Sequence, residues 1–135
     1  MFHSGIAEVV RRDPRYAYEA YEFVFEALTY TLKRLNRLPR PAPGEEPGPH
    51  HHVGGRELLD GIREYALVQF GLMARTVFRL WGINQTDDFG EIVFNLVEAN
   101  LMSKTDQDSR ADFHDVFSLD EALTRDFQIR LEEAD

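Results

Sequence analysis

At 135 residues, with a net charge of −9 and no cysteine, the chain has the length of one domain and excludes disulfides, thiolate metal sites and thiol nucleophiles together. No run approaches the ~20 apolar residues of a membrane span, and Met1 to Ile6 show neither the basic start nor the apolar stretch of a secretory signal, so a single cytoplasmic domain over residues 1–135 is expected. The charge is lopsided: residues 1–83 hold 11 Lys and Arg against 10 Asp and Glu, whereas residues 84–135 hold 4 against 14. A surface of that sign repels phosphate backbones and favours basic partners.

In chain order, Gly5 to Arg12 predicts a short helix through Ile6, Val9 and Val10. Asp13-Pro14 then marks the approach to a long amphipathic helix over Ala17 to Asn36, in which Tyr21, Val24, Phe25, Leu28, Leu32 and Leu35 recur at spacings of three and four. Tyr16, Tyr18 and Tyr30 lie off that face, with Tyr18 expected at an exposed interface. Residues 38–55 change character to proline, glycine and histidine, the composition of a surface loop. Leu58, Leu59, Ile62, Tyr65, Ala66 and Phe70 predict a helix ending near Gly71, and Met73, Ala74, Val77, Phe78 and Trp81 another, stopped by Gly82.

Asp88 and Glu91, three apart as in a capping box, open a further helix through Ile92, Val93, Leu96, Val97 and Leu101. The polar run from Met102 to Arg110, followed by Phe113, Val116 and Phe117, predicts a small β-hairpin within residues 102–117. Ser118 and Glu121 then cap a C-terminal helix through Leu119, Leu123, Phe127 and Leu131. The expected class is mainly α, a compact bundle of about five to six helices with that hairpin.

The segments DPRYAYEAYEFVFEAL, GGRELLDGIREYALVQFGLMARTVFRLWGI and DFGEIVFNLVEANLMSKTDQDSRADFHDVF resemble a small uncharacterised bacterial family known mainly from Planctomycetes and Verrucomicrobia. That resemblance implies a stand-alone intracellular protein and assigns no functional residue. Locally, the order helix, turn, helix, helix and then LVEANLMSKTDQDSR is similar to a winged helix, with Asp108 and Arg110 at the wing tip. The would-be recognition helix, Phe89 to Asn100, carries Glu91 and Glu98 and no lysine or arginine, which leaves Asn95 alone for base contacts.

Four groups of residues could carry chemistry. His50, His51 and His52 are metal-binding side chains, but three in succession do not converge on one ion as spaced ligands do, and a solvated loop is the competing reading. Arg63, Glu64 and Tyr65 together with Asp88 and Glu91 could serve acid-base or metal-assisted hydrolysis if one cleft gathers them, with His114, distant in sequence and in the expected hairpin, as a further candidate; the alternative is helix capping and ion pairing. Lys104, Asp106, Asp108, Ser109 and Arg110 form a charged, hydroxyl-bearing loop suited to binding, or simply to solvation. Trp81, Phe78, Tyr65, Phe89 and Phe94 either line a pocket or fill the core.

No cofactor is expected, and no phosphate-cradling glycine motif occurs. The leading expectation is a non-enzymatic protein-interaction module whose acidic C-terminal half, with the loop at Lys104 to Arg110, meets a basic partner. The alternatives are a small hydrolase built on the Arg63, Glu64, Asp88 and Glu91 cluster, and a winged-helix transcription factor in which Arg11, Arg12, Arg15, Arg34 and Arg37 supply the basic face.

Overall fold

The computed structural model describes residues 4–36, 53–102 and 110–123, and it is mainly helical. Five α-helices follow in order, α1 (Ser4–Arg12), α2 (Tyr18–Arg34), α3 (Gly55–Phe70), α4 (Ala74–Leu80) and α5 (Thr86–Glu98). A 3-10 turn, Gly71–Met73, joins α3 to α4, and another, Arg110–Phe113, precedes helical residues 119–123. The Pro/Gly/His-rich segment lies outside the described residues apart from 53–55.

α2 is the axis of the bundle. It buries Ala20, Tyr21, Phe23, Val24, Ala27, Thr31 and Leu32, so its inward face is broader than the three-and-four spacing of large side chains indicates, and Phe25 and Leu28 are only partly covered. α3 runs antiparallel to it, with Gly61 against Thr31 near one end and Phe70 stacked on Phe23 near the other. At Gly61 the approach is so close that an added Cβ would lie 1.7 Å from Thr31 Oγ1 and 2.9 Å from Thr31 Cβ. Only glycine permits this spacing of the two helices. Thr31 turns its hydroxyl back onto its own helix, donating to the Ala27 carbonyl at 2.7 Å.

The Phe23 ring collects Tyr65, Phe70, Phe78 and Trp81 at centroid separations of 5.3, 5.7, 5.5 and 5.5 Å. Phe78 meets Phe89 of α5 edge-on at 5.2 Å. Four helices therefore share one aromatic cluster. Of the expected pocket residues, Phe78 and Phe89 are fully buried and Trp81 and Tyr65 pack against the same core.

α5 begins one turn earlier than the Asp88–Glu91 spacing implies. Asp88 stands at the third helical position and accepts from the Asn84 and Gln85 backbone N–H groups at 2.8 and 3.2 Å, which fills the acceptor half of a capping box opened at Gln85. The helix also ends earlier. Asn100 takes φ 60, and the Asn100 and Leu101 N–H groups close onto the Val97 and Leu96 carbonyls at 3.0 and 2.9 Å, the paired bonds of a Schellman stop.

The expected hairpin is not supported: among the described residues there is no strand, and Arg110–Phe113 forms a 3-10 turn. Gly90 explains why that stretch lies close to α5. An added Cβ there would lie 2.9 Å from Phe113 Cβ, so the missing side chain leaves a seat for Phe113 on α5. Thr86 fastens the same stretch by donating to the Phe113 carbonyl at 2.7 Å and accepting from Val116 N–H at 3.0 Å. With no wing strand among the described residues, the winged-helix likeness rests there on helices alone.

Gly61→Ala should destabilise the protein by about 2–3 kcal/mol through overpacking against Thr31. Urea unfolding of Gly61→Ala and of the Gly61→Ala/Thr31→Ala double variant checks the cause, since removing the hydroxyl and methyl of Thr31 should recover part of that loss.

Candidate functional site

Two features stand apart from the core. One is a network of ionisable side chains joining the α1–α2 turn to α5; the other is an uncovered apolar surface on α3 and α4.

The network begins at Asp13. Arg15 grips its carboxylate in a fork, Nε to Oδ1 at 2.9 Å and Nη2 to Oδ2 at 2.7 Å, while Asn95 Nδ2 donates to Oδ2 at 2.9 Å and to the Tyr21 hydroxyl at 3.0 Å. The Arg15 fork holds the Asp13 carboxyl well below the usual carboxylate range. Tyr16, 2% exposed, donates its hydroxyl to Asp88 Oδ1 at 2.7 Å. Burial first, and then that carboxylate, push the Tyr16 phenol above its ordinary value, so it stays a protonated donor. Glu91 receives Arg15 and Arg110, each at 3.4 Å, and the Arg110 guanidinium lies 5.0 Å from the Phe94 ring centre.

These contacts decide the placement of the sequence candidates. Glu64 pairs with Arg34 at the C-terminal end of α2, and Tyr65 meets Tyr30 in a tilted ring contact at 5.3 Å. Asp88 and Glu91 engage Tyr16 and Arg15, just before the N-terminal end of the same helix. At 1.5 Å per residue α2 separates those two groups by about 24 Å, so they do not share a cleft. Arg63 is half-buried on α3 alongside Glu64. Asn95, the lone base-reading candidate, is committed to Asp13 and Tyr21. Arg11, Arg15 and Arg34 of the expected basic face pair with Glu8, Asp13 and Glu64. His50, His51, His52, Arg37, Lys104, Asp106, Asp108 and Ser109 lie outside the described residues.

Among the described residues after Ile83, Asp87, Asp88, Glu91 and Asp120 are engaged within the chain. Asp87 accepts from His114 Nδ1 at 2.7 Å and from Asp115 N–H at 3.0 Å. Asp88 caps its helix, Glu91 holds two arginines, and Asp120 receives Arg75 Nε at 2.6 Å. Glu98, Asp115 and Glu121 remain exposed.

The apolar surface was not legible as such in the sequence, where Met73, Ala74, Val77, Phe78 and Trp81 read as one core-facing set. α4 buries only Ala74 and Phe78. Since these are four apart, they define the inward side; Met73 and Leu80 fall on the other, with Val77 half-buried between. Val68, Leu72, Met73 and Leu80 are 58, 60, 58 and 78% exposed, and they are the exposed large hydrophobic side chains among the described residues. All four come from one run of 13 positions, Val68 to Leu80. The surrounding sequence from Tyr65 to Thr86 contains no Asp or Glu, in a chain that has 24. The signal that could have revealed this surface is that very lack of carboxylates beside a helix too short to bury both its sides.

The Asp87–His114 contact gives a pH expectation. Asp87 raises the His114 imidazole above its ordinary 6.5, and His114 lowers the Asp87 carboxyl below its ordinary 3.8. The histidine contribution to stability is therefore complete below pH 6.5 and is lost as pH rises through the raised folded value; the aspartate contribution is present above 3.8 and is lost as pH falls. The melting temperature should decline above pH 6.5, and His114→Gln should flatten that decline; superimposable profiles for the two proteins would remove the clasp from the account. Comparison with known protein families, curated proteins and solved structures finds no match to this chain.

Proposed function

We propose that the protein is a protein-interaction module that docks through the α3–α4 face. The observation that carries this reading is the exposure of Val68, Leu72, Met73 and Leu80 within one run of 13 positions, in a stretch of sequence from Tyr65 to Thr86 that contributes no carboxylate. Scattered exposed hydrophobic residues need no explanation, whereas a contiguous apolar group on an otherwise strongly charged protein marks a contact site. Leaving these side chains in water forgoes about 1.5–3 kcal/mol for each that a partner would fully bury.

The partner is a protein surface of matching apolar character. Exposed Glu98, Asp115 and Glu121 give the second half of the chain a sign that favours basic groups and opposes nucleic-acid backbones.

Site-specific photo-crosslinking in cells tests the reading. A benzophenone side chain placed at Val68 or Leu80 should yield protein adducts, and one placed at exposed Glu19 on α2 should not. Adding Leu80→Glu to the Val68 probe protein should reduce adduct yield roughly tenfold or more with the far-ultraviolet circular dichroism unchanged. Equal labelling from Glu19 and Leu80 would sink the assignment.

A further inference from the structure

We infer that the groove between α2 and α3 binds a small zwitterion in which an alkylated ammonium is joined by a short chain to a carboxylate. The groove holds about 300 Å³ and is lined by Glu26, Thr29, Tyr30 and Lys33 of α2 and by Tyr65 of α3, the lower end of the size range of small-molecule sites. It shares no residue with the docking face. The four α2 positions follow at helical spacing and so form one face. The Tyr65 ring lies 5.3 Å from both Phe23 and Tyr30. Those two are seven apart on α2, so Tyr65 stands level with Glu26 and Ala27. Burial first, and then the Glu26 carboxylate, raise the Tyr65 phenol above its ordinary value, which puts that carboxylate close to the ring. Tyr30 lies one turn beyond Glu26, and Lys33 stands about 10 Å from Glu26 along the helix axis.

Charge selects the ligand. Glu26 and Lys33 are exposed, and neither pairs with a charged group among the described residues. Seven positions separate them, too many for an ion pair along one helix face, whereas Arg34 and Glu64 beside the groove satisfy each other. Two opposite charges thus stand at the two ends of one groove with aromatic rings between them. A simple anion would face Glu26 and a simple cation would face Lys33; a ligand carrying both signs in this order meets opposite charge at each end. Tyr30 and Tyr65, inclined at 43° to one another, form a wedge at the carboxylate end. An alkylated ammonium, poorly hydrated, is drawn to such ring faces, and Glu26 supplies the counter-charge at the same level. The ligand carboxylate meets Lys33, whose side chain leans back toward Tyr30 because helical Cα–Cβ bonds tilt toward the N-terminus.

Titration calorimetry on the full chain tests the site with three probes: 4-(trimethylammonio)butyrate, 4-aminobutyrate and tetramethylammonium. The first should bind with a dissociation constant on the order of a millimolar or below. The second, which lacks the methyl groups, and the third, which lacks the carboxylate, should each bind roughly tenfold more weakly. Glu26→Gln and Tyr30→Leu should each weaken the first probe roughly tenfold, and Tyr30→Phe should retain it, since the ring face is kept. Lys33→Gln should weaken the first probe and leave tetramethylammonium unchanged, which assigns the two ends of the ligand separately. Glu26 and Lys33 are exposed, so unaltered thermal unfolding of their variants separates lost binding from lost folding. No heat from the first probe, equal affinity for 4-aminobutyrate, or affinity unchanged in Glu26→Gln would each overturn the inference.

Discussion

The Phe23 ring is the constraint on which the remainder of the structure rests. It sits in the first half of α2 and is touched by rings from α3, from the end of α3, from α4 and from the residue that follows α4. Aromatic pairs at these separations add about 0.5–1.5 kcal/mol each beyond the area they bury, and here they also fix the rotation of α4. Phe78 must point at Phe23 and Phe89. Once it does, Ala74 follows it inward by helical geometry, and Met73 and Leu80 have nowhere to go but outward. The apolar surface is thus a by-product of satisfying the core with a seven-residue helix.

A second layer of order comes from polar groups that join distant parts of the chain. Tyr16 to Asp88, Asn95 to Asp13 and Tyr21, and Thr86 to Phe113 and Val116 each span more than 25 positions in sequence. No buried side-chain nitrogen or oxygen among the described residues lacks a hydrogen-bond partner. Such satisfied networks specify one arrangement more sharply than apolar contacts do, because every alternative packing strands a donor or acceptor.

How far the amino-acid pattern reveals this architecture depends on where the deciding physics lies. Periodicity located all five helices, since Leu58, Ile62 and Ala66 or Ile92 and Leu96 announce an inward face without help from neighbours. It misjudged residues 110–113, which a contact 23 positions apart, Phe113 in the gap left by Gly90, holds against α5. It also grouped Glu64 with Asp88 because they are close in composition, although α2 holds them at opposite ends. The candidate surface escaped for a related reason: hydrophobic residues on both sides of a short helix look alike until the direction of Phe78 is known.

Trp81, the sole tryptophan, occupies the boundary between these two regimes. Its ring leans on Phe23, Phe70 and Phe78, its carbonyl accepts from Ala17 N–H at 3.1 Å, and it follows Leu80 directly. Half-buried as it is, it is a fluorophore whose emission colour is sensitive both to the integrity of the aromatic cluster and to the hydration of the surface beside it. The chain therefore carries its own optical reporter. Dehydration of the α4 surface shifts the spectrum to the blue, loosening of the cluster shifts it to the red, and no label need be added to tell one event from the other.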